Sequence, residues 1–441
     1  MKHFGAIGLA LLNVTLVFLT IFIISKIIEL QNPKSGKNYN ILWYMLTYLA
    51  MFTNVNSLRC QLFTFFFFSL WIYLLERVRR GEKKLLLVLP FLMLIWANLH
   101  GGFVSGLGLI IIYAIGEFLN KKEWKQYLLI LVPVSLIVLI NPYGIEYVKY
   151  LYHALIMPRS LISEWANSFI GWPWRQFFWY KLLVFIGSVS AIYELCSKKF
   201  RVKEIDITKY LLFAMTLYLS IKHAKHQTFY GIVTASLFYH TYYDFLEYLK
   251  SALGTKIKSI IDKMSFIKES AIYFLLILAG LIFVFNKPLE IVVPEVSYPV
   301  DSVEFIKQNK IYGNLFTLFH WGSYTIWKLY PQNLIAIDGR YEEVFDDELF
   351  NSTIKILENQ KDWGLFLKKY KTDVIIMPHT ATRAHNSLTF DKNWKQIFVG
   401  SNSSVFVRKE IAKQRQNYIY KKRTPEYFNK TMFDTNITML K

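Results

Sequence analysis

Long apolar runs separated by short polar or basic segments fill most of the first 290 residues of this 441-residue chain. Many of the runs approach the ~20 residues that a helix needs to cross a bilayer, and the shorter ones suit tilted or broken helices. The pattern therefore predicts an α-helical multi-spanning membrane protein with about ten spans. The predicted spans are 5–28, 41–57, 60–76, 84–99, 102–119, 127–140, 176–196, 207–222, 227–244 and 270–286.

A polar turn, WANLHGGF at 96–103, separates the fourth and fifth runs. Basic clusters at 77–84 and 121–125 lie on either side of this pair of runs. Because basic loops stay cytoplasmic, the turn is expected on the outer side. Asn98 and His100 would be costly near lipid unless they face a cavity or the interface. They are therefore candidate binding residues, and the alternative is a histidine packed in a structural turn.

Composition supports the membrane class, since 54% of the residues are hydrophobic and 17% are aromatic. The net charge of +20 resides largely in short loops, where it orients the spans by keeping the basic loops on the cytoplasmic side. Membrane lipids are therefore expected partners. We find no basic domain with a recognition motif, so nucleic acid is not an expected partner. Cys60 and Cys196 provide neither a disulfide framework nor a metal signature. The oligomeric state is left open by the sequence.

The same alternation of loop charge puts 141–175 on the outer side, and this loop contains ISEW at 162–165. Glu164 is a carboxylate beside an aromatic ring, which suits a cation, a metal or a proton as its partner. The tryptophans of the loop equally suit an ordinary interfacial belt. Glu164 is nevertheless the candidate general base or cation ligand, because apolar surroundings tune a carboxylate for acid–base work.

A second outer turn, IKHAKHQ at 221–227, concentrates hydrogen-bond donors that would suit a phosphate or pyrophosphate group. The alternative is a basic anchor that meets lipid headgroups. The two histidines have no partner cluster that would make a zinc site, so no metal ligands are predicted. The candidate donors are Lys222, His223, Lys225 and His226.

Near residue 297 the composition becomes that of a soluble α/β protein. The sequence therefore predicts a transmembrane domain at 1–290, an α/β domain at 291–408 and a basic, polar tail at 409–441. Short apolar strands alternate with helical segments, and KQIFVGSNSSVFVR predicts a hairpin. The orientation of the spans makes this domain extracytoplasmic. His320 follows the first strand, and Asp338 and Arg340 follow the second, where α/β sheets place ligands. An Asp338–Arg340 pair that only locks a turn is the alternative.

Eight short motifs follow one another between about residues 57 and 408: SLRCQLFTF, WANLHGGF, NPYG, ISEW, PVDSVEFI, GNLF, HWGSYTIWKLYPQ and IDGR. In order and spacing they resemble the motifs of the GT-C-like glycosyltransferases, the multi-spanning polyprenyl-phosphate-sugar-dependent class that includes protein mannosyltransferases. The resemblance implies sugar transfer from a polyprenyl-phosphate donor on the outer face of the cell membrane. It leaves open whether a divalent metal is a cofactor.

The class usually carries an acidic residue in its first outer loop, and this chain departs from that pattern. No aspartate precedes Asp206, and the acids of the first hundred residues, Glu29, Glu76 and Glu82, lie toward the cytoplasmic side. We therefore expect an opening span and its acid-bearing loop to be absent from the sequence. The competing hypothesis is a non-enzymatic envelope protein whose α/β domain binds a partner or glycan. A transporter is the third hypothesis, and the small number of ionisable residues within the spans disfavours it.

Overall fold

A computed structural model describes residues 5–31, 38–56, 59–156, 162–173, 175–252, 266–268, 278, 293–340, 345, 347–359, 363–413 and 417–421. The chain divides into two compact units, 1–289 and 290–441, and each is described by itself. The first unit is mostly helical, and the second contains a small mixed sheet.

The helices of the first unit follow the apolar runs, because a membrane-compatible segment satisfies its backbone hydrogen bonds internally. A two-stranded antiparallel pair, β1 Asn38–Asn40 and β2 Phe266–Lys268, also belongs to this unit. The helices are α1 Gly5–Gln31, α2 Ile41–Val55, α3 Gln61–Arg79, α4 Val88–Leu99, α5 Val104–Leu119, α6 Lys125–Ile137, α7 Glu146–Ile156, α8 Phe178–Ser197, α9 Ile207–Lys222, α10 Gln227–Leu237 and α11 Tyr239–Ala252.

Four segments within the described residues are long and apolar enough to cross a membrane: Ile7–Gln31, Gln61–Arg79, Gly101–Leu119 and Phe178–Ser197. This finding supports membrane association, while the predicted total of about ten spans stays a prediction. The run predicted as one span at 227–244 is instead two helices that meet at Phe238. The last predicted span, 270–286, lies outside the described residues apart from 278.

Aromatic side chains fill the interior of the helical unit. Trp71 is fully buried beside Trp96, whose ring also stacks on Phe67 with centroids 5.6 Å apart. Gly106 on α5 permits this packing, since a Cβ there would lie 2.7 Å from the Trp96 ring. The third helix, which carries Phe67 and Trp71, is therefore central to the core of the unit.

One end of α3 is held by buried charges. Arg79 contacts Glu76, Glu117 and Asp206, each at 2.9 Å, and so links α3 to α5 and to the turn before α9. Tyr113 on α5 donates to Glu76 at 2.9 Å. Burial raises the pKa of Asp206, but hydrogen bonding and charge from Arg79 outweigh it and leave that pKa lowered. The helical unit thus buries Glu76, Arg79 and Glu117, although few ionisable residues were expected within the spans.

The second unit is a three-layer α/β/α arrangement around a five-stranded sheet. The strands are β3 Gly313–Phe316, β4 Asn333–Ile335, β5 Val374–Pro378, β6 Trp394–Val399 and β7 Ser403–Arg408. They lie in the order β4-β3-β5-β7-β6. Strand β3 is parallel to β4 and β5, whereas β7 is antiparallel to β5 and β6. Strands β6 and β7 form the predicted hairpin.

Strand alternation creates the two apolar faces of the sheet. The helices that cover these faces or follow the sheet are α12 Val300–Gln308, α13 Phe319–Leu329, α14 Asp347–Leu357, α15 Trp363–Lys369, α16 Thr382–Phe390 and α17 Lys409–Lys413. Val374 and Ile376 face the layer that contains α12 and α13, and Ile375 and Met377 face the layer that contains α14, α15 and α16. Of the predicted tail at 409–441, the described part is limited to 409–413 and 417–421.

Candidate functional site

Three polar turns of the helical unit meet around the beginning of α3: the turn between α4 and α5, the ISEW turn and the turn between α9 and α10. Arg59, just before α3, forms an ion pair with Glu164 at 2.5 Å. Gln61 donates to the backbone oxygen of Lys225 at 3.4 Å, and Thr64 contacts His100 at 2.8 Å. We call this group the α3 entry cluster. Its members are Arg59, Gln61, Thr64, His100, Glu164, Trp165, His223, Lys225 and His226.

The protonation state of His100 follows from its partners. The backbone N–H of Gly102 donates to Nδ1 of His100 at 3.1 Å, so this nitrogen is unprotonated. The Thr64 hydroxyl, which accepts from Trp96 at 3.0 Å, therefore donates its own proton to the same nitrogen at 2.8 Å. Burial and the charge of Lys225 lower the pKa of His100 to about 4. A neutral imidazole with its proton on Nε2 results, and this N–H makes no hydrogen bond with the described residues.

The ISEW turn and the α9–α10 turn are joined by backbone hydrogen bonds. Ala224 donates to the oxygen of Ala166 at 3.0 Å, and Ser168 donates to the oxygen of Ile221 at 2.8 Å. Gln227 adds a side-chain bond to the Ser168 hydroxyl at 3.1 Å. The two turns, more than fifty residues apart in sequence, therefore form one paired surface.

Trp165 is surrounded by the basic side chains of the paired turns. The Lys225 ammonium lies 3.5 Å from the Trp165 ring centroid, a close cation–π contact. His223 donates from Nδ1 to the Trp165 backbone oxygen at 2.6 Å, because the carbonyl can only accept. His226 approaches the same ring, with centroids 5.9 Å apart. Burial, followed by the charges of Lys225 and His223, lowers the pKa of His226 to about 3.

Two of the predicted site residues of the first unit lie outside this cluster's hydrogen bonds. Asn98 donates its amide to the backbone oxygens of Leu94 and Ile140, at 2.9 and 3.0 Å, and so ties the end of α4 to the segment after α6. Lys222 is exposed at the end of α9, with its ammonium 5.9 Å from the Tyr218 ring centroid. That Asn98 and Lys222 bind substrate stays a prediction.

The predicted residues of the second unit lie at the carboxyl ends of its parallel strands. Asp338 is buried, and the Arg340 guanidinium donates to both of its carboxylate oxygens at 2.6–3.1 Å. Burial raises the pKa of Asp338, but the Arg340 hydrogen bonds and charge leave it lowered. Gly322 sits against this turn, because a Cβ there would lie 2.1 Å from the Ile337 oxygen. His320 occupies the first turn of α13, where burial lowers its pKa.

Sequence reasoning missed Arg59, Gln61 and Thr64 as members of the site. All three belong to SLRCQLFTF, which the sequence marked through a resemblance and not through chemistry. A signal was available, since Arg59 lies in a short loop that is predicted to be on the outer side, where a basic residue departs from the charge rule.

Comparisons with known proteins add no relative: no family model matches the chain, and no curated protein matches it. No group of three or more histidine, cysteine, aspartate or glutamate side chains that could hold a metal ion occurs within the described ranges. The α3 entry cluster is therefore the main structural indication of function in the described residues.

Proposed function

We propose that this protein is a GT-C-like membrane glycosyltransferase that uses a polyprenyl-phosphate sugar donor on the outer face of the membrane. One observation carries the proposal: a single carboxylate, Glu164, sits among the cationic and aromatic groups where three polar turns meet α3. Such a surface suits a phosphate joined to a sugar, because Arg and Lys neutralise the phosphate and an aromatic face packs against a sugar ring.

The ion pair between Arg59 and Glu164 gives the donor phosphate a route into the site. Both side chains are substantially exposed, at 56% and 40%. An exposed pair of this kind contributes only about 0–1 kcal/mol, so a phosphate can compete for the guanidinium at low cost. Once Arg59 binds the phosphate, Glu164 loses its partner and becomes available as a base.

In the proposed transfer, an acceptor hydroxyl attacks the anomeric carbon of the donor sugar. The hydroxyl proton passes to Glu164, and the bond between the anomeric carbon and the phosphate oxygen breaks with its electron pair on the phosphate. Arg59, Lys222 and Lys225 stabilise the departing charge. The Nε2–H of His100 is directed by its two Nδ1 bonds and supplies a neutral donor to the sugar or phosphate.

A divalent metal, which the resemblance leaves open, fits these residues poorly. Glu164 is the cluster's one carboxylate, and a guanidinium occupies it. Divalent oxygen-ligand sites generally draw on several carboxylate or carbonyl oxygens. No step of the proposed transfer is therefore assigned to a metal.

The proposal includes a multi-pass arrangement of about ten spans with the second unit extracytoplasmic. Its support is the alternation of basic loops, which puts the turns of the α3 entry cluster on one side. A membrane-impermeant thiol reagent applied to intact cells tests the orientation with a cysteine introduced at Ser163, next to Glu164, after Cys60 and Cys196 are replaced by serine. Labelling in intact cells is expected, and labelling only after lysis would overturn the orientation.

The activity test compares the lipid-linked glycans of cells with and without the gene by mass spectrometry. Loss of the gene should make a polyprenyl-phosphate sugar accumulate, and the wild-type gene should reverse this. Glu164→Gln keeps a hydrogen bond to Arg59 but not a base, so it should fail to restore transfer. Glu146→Gln is the control, because Glu146 forms a still more exposed pair with Lys149 on α7. Identical glycans in all strains would reject the proposal.

A non-enzymatic envelope protein is the second candidate. The observation that favours it is that Glu164 is engaged by Arg59 and no second carboxylate belongs to the α3 entry cluster. On this alternative, deletion leaves lipid-linked sugars unchanged, and the second unit instead retains a protein or glycan in pull-down experiments from envelope extracts.

A further inference from the structure

The second unit contains a cluster of nitrogen and oxygen ligands away from Asp338 and Arg340. It consists of His379, His385, Gln396 and Ser404, and we call it the His–Ser cluster. His379 directly follows β5, His385 lies on α16, and Gln396 and Ser404 lie on β6 and β7. The antiparallel pairing of Met377 with Ser404 brings the end of β5 beside the start of β7.

Three side chains point at the same oxygen. Nε2 of His379 lies 3.1 Å from the Ser404 hydroxyl, Nε2 of His385 lies 2.9 Å from it, and the Gln396 amide lies 3.0 Å from it. Ser404 is fully buried, whereas His379 is exposed, so the cluster opens to solvent on the His379 side.

A count of protons shows why this arrangement suits a metal ion. The hydroxyl has one proton and can donate it to one imidazole only. The other imidazole then carries its proton on Nε2 and donates to the hydroxyl. Moving that proton to Nδ1 leaves an Nε2 lone pair on each imidazole, both about 3 Å from the Ser404 oxygen, so a first-row divalent ion beside that oxygen can bind both.

We propose that the His–Ser cluster binds a borderline divalent transition-metal ion of the zinc or copper class. His379 and His385 are the nitrogen ligands, each expected at about 2.0–2.1 Å from the ion. Ser404 completes the inner side together with Gln396, whose amide turns over on binding to present its oxygen, and water completes the exposed side. This site is independent of the proposed sugar transfer.

The two imidazoles are held before any ion arrives. The backbone N–H of His379 donates to the Asn402 oxygen at 3.0 Å, which fixes the residue against the β6–β7 turn. The His385 ring packs edge-on against Phe406, with centroids 5.2 Å apart and an interplanar angle of 78°. Preorganised ligands of this kind lose little freedom on binding, which favours affinity.

The test uses the full chain in detergent after removal of metal by a chelator. Zinc alone is titrated against a chromogenic zinc chelator, and one ion per chain is expected. His379→Gln and His385→Gln should each weaken zinc binding by about tenfold or more. Zinc should also raise the melting temperature of the wild type but not of His379→Gln, whose exposed position keeps the fold intact. His153→Gln, an exposed histidine of α7, is the control and should bind as the wild type does.

Copper(II) supplies a direct readout of the ligands, since the electron paramagnetic resonance spectrum shows splitting from coordinated nitrogen. Two imidazole nitrogens are expected in the wild type and one in His379→Gln. Unchanged zinc affinity in both cluster variants would overturn the site. Loss of binding in His223→Gln, with retention in the His379 and His385 variants, would also overturn it by moving the ion to the first unit.

Discussion

Thr64 donates a hydrogen bond to His100 at 2.8 Å and thereby joins the first turn of α3 to the turn between α4 and α5. The backbone N–H of Gly102 donates to the same nitrogen, Nδ1, so the imidazole carries its proton on Nε2. The Thr64 hydroxyl accepts from Trp96 and donates to His100, which links three residues by hydrogen bonds. The backbone of the turn thus determines what His100 can donate.

The two adjacent glycines of the LHGGF turn should differ sharply in tolerance. A Cβ at Gly102 would lie 2.5 Å from Thr64 Oγ1 and 2.7 Å from His100 Nδ1, whereas a Cβ at Gly101 meets nothing within 4 Å. Gly102→Ala should therefore lower stability by about 1–3 kcal/mol and abolish transfer. Gly101→Ala should behave as the wild type. Thermal unfolding in detergent and complementation measure both, and equal behaviour of the two variants would contradict the packing.

Arg59→Gln should separate stability from function. The Arg59–Glu164 pair is exposed, so its loss should change stability by no more than about 1 kcal/mol. Transfer should fall by roughly 10²–10³-fold, because a charge that stabilises the departing phosphate is lost. The control is Lys149→Gln, which removes the cation of the still more exposed Lys149–Glu146 pair. Full transfer by Arg59→Gln would remove this residue from the mechanism.

Removing the buried charge of Glu76, at the end of α3 that carries Arg79, should lower the free energy of unfolding strongly. Glu76→Gln leaves Arg79 short of one buried partner, and breaking a buried pair costs about 3–5 kcal/mol. Glu82→Gln removes the carboxylate of the more exposed Arg77–Glu82 pair and should lower stability much less. Chemical denaturation in mild detergent compares the two. A Glu76→Gln variant as stable as Glu82→Gln would show that the network contributes little.

Acid should destabilise the helical unit through its buried histidines. Folding lowers the pKa of His100 to about 4 and that of His226 to about 3, below the ordinary value of 6.5. The unfolded chain therefore binds more protons between pH 6.5 and 4, and stability present above pH 6.5 is lost as the pH falls through this window. Melting temperatures at pH 7 and 5 measure the loss, which should be smaller in His100→Gln and His226→Gln.

The exposed His153 provides the comparison for this pH experiment. His153→Gln should keep the wild-type difference in melting temperature between pH 7 and pH 5. If the His100 and His226 variants also keep that full difference, these two histidines are not the groups that resist protonation.

Helix positions could be predicted well because apolar runs carry a local signal. Predicted span 207–222 coincides with α9, and the strands at GNLF, NLI and VIIMP lie where short apolar runs indicated them. The break at Phe238 was not predicted, since both sides of it are apolar and aromatic. The mixed sheet was predicted through its alternation of strands and helices.

Long-range pairing left no comparable signal. Arg59 and Glu164 are 105 residues apart, and Arg79 and Asp206 are 127 apart. Loop charge placed the three turns on one side but could not indicate that α3 begins between them. Glu76 was assigned to the cytoplasmic side by its basic neighbours, and its burial among Arg79, Tyr113 and Arg80 depends on the packing of α3 against α5.

The third helix is fastened at both ends, by Thr64 at one and by Glu76 and Arg79 at the other, about 18–22 Å apart along its axis. A rod held in this way resists rotation and sliding, because either movement would break buried polar contacts at both anchors. Entry of a bulky ligand must therefore be accommodated by the paired turns that contain Glu164 and Lys225. In the proposed function, α3 therefore keeps its position when a ligand binds, and the paired turns adjust to it.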